Sequence, residues 1–159
     1  MDYKILTCRV DPFSENEVLD KLISFLHSNK PHQIITVNSL MILNSLNDKI
    51  LQKAFENADL VVPDSIGIPG IDLIKKICSI LNKNKLSLFL LGAKPGVCEK
   101  VADSLKNLFP DLKISGIHNG YFCDTDEVIS KINNANPDVL FVGLATPYQE
   151  KWIYNNLKR

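Results

Sequence analysis

Arginine is nearly absent from this chain: of 18 basic residues, only Arg9 and Arg159 are arginine and the remaining 16 are lysine. Few guanidinium forks are therefore at hand to grip a phosphate bidentately. A charge excess is missing too, since 18 basic residues face 18 acidic ones and the formal net charge is zero. Without a long-range field, nucleic acid is not expected as a partner. The longest apolar run, Leu86 to Ala93 with one serine inside, falls far short of the ~20 residues of a membrane-spanning helix. The opening Met1-Asp-Tyr-Lys4 lacks the charged and apolar regions of an export signal. No C-x-x-C pair occurs among Cys8, Cys78, Cys98 and Cys123, which predicts four free, buried thiols rather than a disulfide or zinc framework. What remains is 159 residues at 45% hydrophobic content. That is expected to form a single cytoplasmic domain able to bury roughly 68–70% of its unfolded surface.

The hydrophobic pattern alternates between two periods. Short aliphatic runs at Tyr3–Val10, Gln33–Val37, Leu60–Val62, Leu86–Leu91, Leu112–Ile117 and Val139–Val142 read as strands. Between most of them lie helical stretches. One opens on the capping-box spelling Ser14-Glu-Asn-Glu17 and turns Val18, Leu22, Phe25 and Leu26 inward. One runs from Pro95 with a stripe of Val97, Val101, Leu105 and Leu108, and one follows Thr125 with Val128, Ile129 and Ile132 inward. The last starts with Pro147 at its first position and turns Trp152, Ile153 and Leu157 inward. Strands alternating with helices predict an α/β fold, a mostly parallel sheet with helices on both faces. Interleaved Lys4, Thr7 and Arg9 make Tyr3–Val10 an N-terminal edge strand.

In such sheets ligands bind beyond the carboxyl ends of the strands. Small, polar and glycine-rich residues follow five of the predicted strands here. Thr36 and Asn38 offer short hydrogen-bonding side chains, and Asn38 or Ser39 also suits the cap of the next helix. Asp64 reads either as a helix cap or as a general base for an acceptor hydroxyl. The loop Gly92-Ala93-Lys94-Pro95-Gly96 is neither a G-x-G-x-x-G nor a Walker spelling. It suits an ordinary strand-to-helix turn or, alternatively, a diphosphate beside Lys94. His118 has no second ligand at metal spacing and reads as a hydrogen-bonding histidine. Asp124-Thr125-Asp126 carries the D-x-D spelling but stands just before a helix, which predicts capping acids with Thr125 placed to cap. Glu150, in a first helical turn beside Gln149, suits the helix dipole as well as a ligand.

Taken together, these loops resemble the TagA/WecG/CpsF glycosyltransferases (glycosyltransferase family 26). The matching segments are His32–Asn38, Ala58–Asp64, Gly70–Leu73, Leu90–Val97, Gly116–Phe122 and Pro137–Gly143, with Pro147-Tyr-Gln-Glu150 and Trp152. They stand in family order and cover nearly the whole chain. The resemblance implies a Rossmann-like core that transfers a sugar from a UDP-linked donor with inversion, without a metal and without a cofactor. It is nearest to the TagA branch, which implies UDP-N-acetylmannosamine as donor and N-acetylglucosamine on undecaprenyl diphosphate as acceptor, for the wall teichoic acid linkage unit. Other members handle N-acetylmannosaminuronic acid or glucose for surface polysaccharides. By the same resemblance, Asp64 matches the base and Thr36 and Asn38 its pocket. The Gly92-Ala93-Lys94-Pro95-Gly96 loop, Tyr121 and Gln149 match positions around the nucleotide, and His118, Gly120, Gly143, Pro147 and Glu150 are expected as further substrate-binding residues.

Three departures from the family pattern shape the expectations. Ser65 stands where glycine is usual, Ile68 runs almost directly into Pro69-Gly-Ile-Asp72, and the chain stops at Arg159, short of the family's membrane-meeting appendage. The expectation is a transferase core, peripheral to the inner face of the cell membrane, with its base present and its cations wanting. Self-association stays open. A non-catalytic nucleotide-binding module is the alternative from another class. The missing dinucleotide fingerprint counts against an oxidoreductase.

Overall fold

The structure, a computed structural model, describes residues 3–64 and 73–159; Ser65, the junction at Ile68 and the Gly70–Asp72 motif lie outside the described residues. The chain divides into two compact units, residues 1–71 with 145–159, and residues 72–144.

The first unit begins with a hairpin rather than one edge strand. β1 (Tyr3–Ile5) pairs antiparallel with β2 (Cys8–Val10), Ile5 opposite Cys8. Leu6 takes a positive φ of 56° at the turn, a conformation no periodicity announces. The polar residues that signal an edge serve the turn and its neighbours, the Thr7 hydroxyl meeting that of Ser45 at 2.7 Å. α1 (Glu15–Leu26) carries the predicted capping box: the Glu17 amide donates to Ser14 Oγ and the Ser14 amide donates to Glu17 Oε2. β3 (Ile34–Val37) and β4 (Leu60–Pro63) pair in parallel, Thr36 opposite Val62. α2 (Ser39–Ser45) and α3 (Lys49–Asn57) connect them, capped by Asn38 and Asp48. The helix α7 (Tyr148–Asn156) packs on α3, and Pro147 is its N-cap rather than its first residue. The core of this unit joins Cys8, Val10, Ile35, Val37, Leu51, Phe55 and Val61. Full burial of a side chain the size of Leu51 or Phe55 contributes about 1.5–3 kcal/mol.

The second unit starts with α4 (Leu73–Asn84) and holds a parallel sheet of order β6–β5–β7: β5 (Ser87–Gly92), β6 (Lys113–His118) and β7 (Val139–Gly143). Every residue of the central β5 is buried, as a near-continuous apolar run in a parallel sheet requires. Ser115 bulges out between the pairs Leu88–Ile114 and Phe89–Gly116. The bulge sets Gly116 beside the Phe89 ring, where a Cβ would come within 2.4 Å of Cε2.

α5 (Val97–Leu108) packs on β5 and β6, with α6 (Thr125–Ala135) on β6. α5 buries Cys98, Ala102 and Leu105 and leaves Val97, Val101 and Leu108 exposed, a correction to the predicted stripe. Two stripes one residue apart share Leu105 and the same spacing, so helical period alone does not choose between them. The cap of α6 is also corrected. Asp124, not Thr125, accepts from the amides of Asp126 and Glu127 at 2.8 and 3.2 Å. These elements make the chain α/β, with the parallel pairings of a Rossmann-like fold. All four cysteines are free, but Cys123 is exposed where burial is expected. Burial pushes the Cys8 thiol up to about 11, partly countered by Arg9.

Candidate active site

In the first unit the parallel ladder continues one residue beyond β4, because the Asp64 amide donates to the Val37 carbonyl at 2.7 Å. Extending that register places Asp64 beside Asn38, with Thr36 two residues back along β3. Thr36, Asn38 and Asp64 therefore gather at one carboxyl strand end. Asn38 also caps α2, its Oδ1 accepting from the Met41 amide at 3.0 Å, as an asparagine in extended conformation before a helix should.

The remaining strand-flanking aspartates of this unit are committed to the main chain. Asp11 accepts from the Val61 amide and from Arg9, which explains why Arg9 is a structural cation. Asp59 accepts from the Gln33 amide and pairs with His32 at 2.9 Å. Burial alone would raise the Asp59 carboxyl, yet the bonds from His32 and Gln33 outweigh it and leave it lowered. In the second unit Asp138 joins the amino ends of two strands, accepting from the Ser87 amide and hydroxyl at 2.7 Å each. Asp64 differs: it is exposed, and among the described residues nothing hydrogen-bonds to its carboxylate. Its alternative as a helix cap falls on residues outside those described.

The second unit brings three loops together at the carboxyl ends of its strands. Ala93, at φ 53°, donates its amide to the Gly143 carbonyl at 2.9 Å and accepts from the Gly120 amide at 2.8 Å. The backbones approach so closely that a Cβ on Gly92 would lie 2.3 Å from the Gly143 oxygen, and one on Gly120 would lie 3.1 Å from the Ala93 nitrogen. Past this junction Lys94 and Pro95 are exposed, and Gly96, at φ 82°, caps α5 with no side-chain hydrogen bond. The amides at that helix start carry partial positive charge, an arrangement that suits an anion.

On the neighbouring strand His118 is half-buried, its Nδ1 2.7 Å from the Asn119 carbonyl oxygen, with Phe122 edge-on to its ring. A carbonyl only accepts, so Nδ1 carries a proton and Nε2 is the acceptor of the neutral ring. Tyr121 is 70% exposed. Asn119 goes unnoticed at the level of motifs, yet its Oδ1 accepts from the Tyr121 amide at 2.9 Å and shapes the turn that delivers Gly120 to Ala93. Its signal is the Asn-Gly dipeptide, a turn former in its own right. Among the described residues no group of three or more His, Cys, Asp or Glu side chains could hold a metal ion.

At the start of α7 Pro147 is half-buried, and the side chain of Gln149 donates to Glu150 Oε1 at 3.1 Å. Glu150 is only 1% exposed, and among the described residues its Oε2 has no hydrogen-bond partner. Lys151, a second residue the motifs do not flag, turns to Asp48 and holds that carboxyl below its ordinary range. Burial pushes Glu150 upward from its ordinary value of 4.5. The unfolded chain releases this proton more readily than the folded one, so its contribution is a loss of stability as pH rises from about 4.5 through the raised folded value. Glu150→Gln does not titrate. Its advantage over the parent in denaturant melts should be smallest near pH 4, grow across that window and level off above it. An advantage that shrinks with rising pH would contradict the assignment.

These features define a Rossmann-like α/β protein in which each unit carries candidate site residues at the carboxyl ends of its own strands. The chain belongs to the glycosyl transferase WecG/TagA/CpsF family, whose model matches residues 3–159. A relative from Bacillus subtilis (strain 168) is 31% identical over 160 residues, covering 88% of this chain and 62% of the relative. One from Bacillus spizizenii is 29% identical over 146 residues, 82% of this chain and 57% of the relative. One from Staphylococcus aureus (strain NCTC 8325) is 29% identical over 136 residues, 76% and 53% respectively. All three are named N-acetylglucosaminyldiphosphoundecaprenol N-acetyl-beta-D-mannosaminyltransferase. The chain spans between about half and three-fifths of the length of these relatives.

Proposed function

We propose that this chain is the core of an inverting glycosyltransferase that moves N-acetylmannosamine from its UDP-linked donor to N-acetylglucosamine carried on undecaprenyl diphosphate. Family membership and the names of the relatives support the reaction class. The observation that carries the residue assignment is the contrast among aspartates: Asp11, Asp59 and Asp138 are consumed by strand amides, whereas Asp64 keeps an exposed carboxylate at a carboxyl strand end.

In this reading Asp64 takes the proton of the acceptor hydroxyl as that oxygen bonds to the anomeric carbon. The bond from that carbon to the UDP oxygen breaks, and UDP leaves with the electron pair. Thr36 and Asn38 orient the sugar beside Asp64. The Gly92–Gly96 turn, with the amides at the start of α5 and the Lys94 ammonium, receives the departing diphosphate. His118, Gly120, Tyr121, Gly143, Pro147 and Gln149 complete the donor site. No metal is assigned a role; Asp124, the first acid of the D-x-D spelling, is committed to capping α6. Among the described residues no helix is long and apolar enough to cross a membrane. Independently of that, the resemblance supports a lipid-borne acceptor met from the inner face of the membrane.

Calorimetric titration with UDP tests the donor half. Saturable binding with a Kd of about 1 mM or tighter, worth some 4 kcal/mol, is expected. An absence of heat at several-fold higher UDP would overturn the nucleotide assignment.

A further inference from the structure

α2 is apolar on both of its faces, although only one of them meets the core. Met41 and Ser45 turn inward. At about 100° per residue Leu43 points directly away from them, with Leu40 and Leu46 about 60° to either side. Leu40, Leu43 and Leu46 are 58%, 57% and 43% exposed. A helix at a protein surface ordinarily carries polar or charged residues on that side. Here no charged residue stands anywhere from Gln33 to Asn47. The contact between the Thr7 and Ser45 hydroxyls seats the hairpin turn against the last turn of α2, which extends the apolar patch to Leu6, 62% exposed. The charges bordering the patch are uneven. Lys4 in β1 and Lys49 at the start of α3 are exposed, whereas Asp48 is paired with Lys151 and Asp11 with Arg9. An apolar face with a cationic border complements an anionic lipid surface.

We propose that the Leu40, Leu43 and Leu46 face of α2, together with Leu6, docks on the anionic surface of a lipid bilayer. The inference rests on the functional reading above, in which the acceptor hydroxyl is separated from its polyprenyl chain by one sugar ring and a diphosphate. A base that serves such an acceptor works close to the bilayer, so the surface beside Asp64 has to approach it. α2 starts at Asn38, next to Asp64, and rises about 10 Å to Leu46, a span comparable to that sugar and diphosphate. Contact through the leucines holds the strand end at the height of the acceptor sugar, while the lysines meet the headgroups.

Co-sedimentation of the whole chain with vesicles of equal parts phosphatidylglycerol and phosphatidylcholine tests this. Half of the protein should be bound near about 1 mM lipid, and less with phosphatidylcholine alone. Leu43→Gln keeps a good helix former at an exposed position, so the fold should persist. It should weaken vesicle binding about ten-fold, and the Leu40→Gln, Leu43→Gln double variant more steeply still. Leu108→Gln is the control, because Leu108 is as exposed, at 59%, but lies in the second unit; it should stay within about two-fold of the parent. No sedimentation at several-fold higher lipid, or equal losses from Leu43→Gln and Leu108→Gln, would overturn the inference. Sedimentation velocity without lipid examines a different occupant. A dimer that Leu43→Gln dissociates would assign the face to a second copy of the chain and overturn bilayer docking. UDP titration keeps the two readings apart. Vesicle binding through α2 by a chain that binds no UDP leaves the docking face standing and removes the transferase reading. UDP binding without vesicle binding does the reverse.

Discussion

Replacing Asp64 with asparagine should lower the rate of sugar transfer by about 10²–10⁴-fold, the range general-base catalysis supplies. Asparagine keeps the size and the hydrogen-bonding reach of the side chain but cannot take a proton. The acceptor hydroxyl would have to attack while still protonated. Because Asp64 is exposed and its carboxylate has no hydrogen bond from any described residue, the same change should alter stability by no more than about 0.5 kcal/mol. UDP affinity should also stay within about two-fold of the parent, since the base meets the acceptor and not the leaving group. The measurement is UDP release, followed in a chain length that turns over, alongside a denaturant melt and a UDP titration. Retention of the full rate would remove Asp64 as the base. A rate loss accompanied by an equal loss of stability would make it a structural residue instead.

The second large effect is structural. Gly92→Ala should destabilise the protein by about 3 kcal/mol or more, a substantial share of the 5–15 kcal/mol that holds a typical domain together. Two causes combine. Gly92 has φ 138°, where side chains are strained, and its added Cβ would lie 2.3, 2.5 and 2.8 Å from the oxygen, carbon and Cα of Gly143. Those are backbone atoms of the paired strand and cannot swing aside, so the Ala93–Gly143 bond must open or the strand ends must part. Gly96→Ala is the natural control. It shares the unfavourable φ, at 82°, but a Cβ there meets nothing within 4 Å. Only the conformational cost of about 1–2 kcal/mol remains. Urea midpoints for the two variants check this: Gly92→Ala should be clearly the less stable. The reverse order would show that the strand-end junction yields more easily than its geometry implies.

Much of this molecule is legible along the chain because its signals are local. The Ser14–Glu17 spelling produces the capping box that it predicts, and Asn38 caps α2. The apolar runs from Gln33 onward each contain a strand whose ends move by at most a residue or two. Family membership is legible for a related reason: its segments cluster at the carboxyl ends of strands, where loops are free to carry chemistry while strands are held by packing. Where local signals are degenerate, the reading fails. Tyr3–Val10 alternates as one strand would, but Leu6 adopts a positive φ and folds the run into a hairpin. In α5 two stripes share one period, and contact with β5 and β6 selects the one through Cys98, Ala102 and Leu105.

Composition and periodicity alone were enough to establish a parallel α/β chain with no net charge, almost no arginine, and an aspartate, an asparagine and glycine-rich turns after its strands. The α/β pattern and its turns follow from nearest-neighbour physics, since helix caps, strand alternation and turn formation involve residues a few positions apart. Tertiary structure decided the rest. It spent Arg9 on Asp11 and Lys151 on Asp48, so the shortage of cations visible in the sequence is sharper than the count of 18 suggests. It tied Gly92, Ala93, Gly120 and Gly143 into one junction and sank Glu150 beneath Gln149. Burial and the pairing of distant groups depend on which surfaces meet, and that is a property of the packed chain rather than of any short stretch of it.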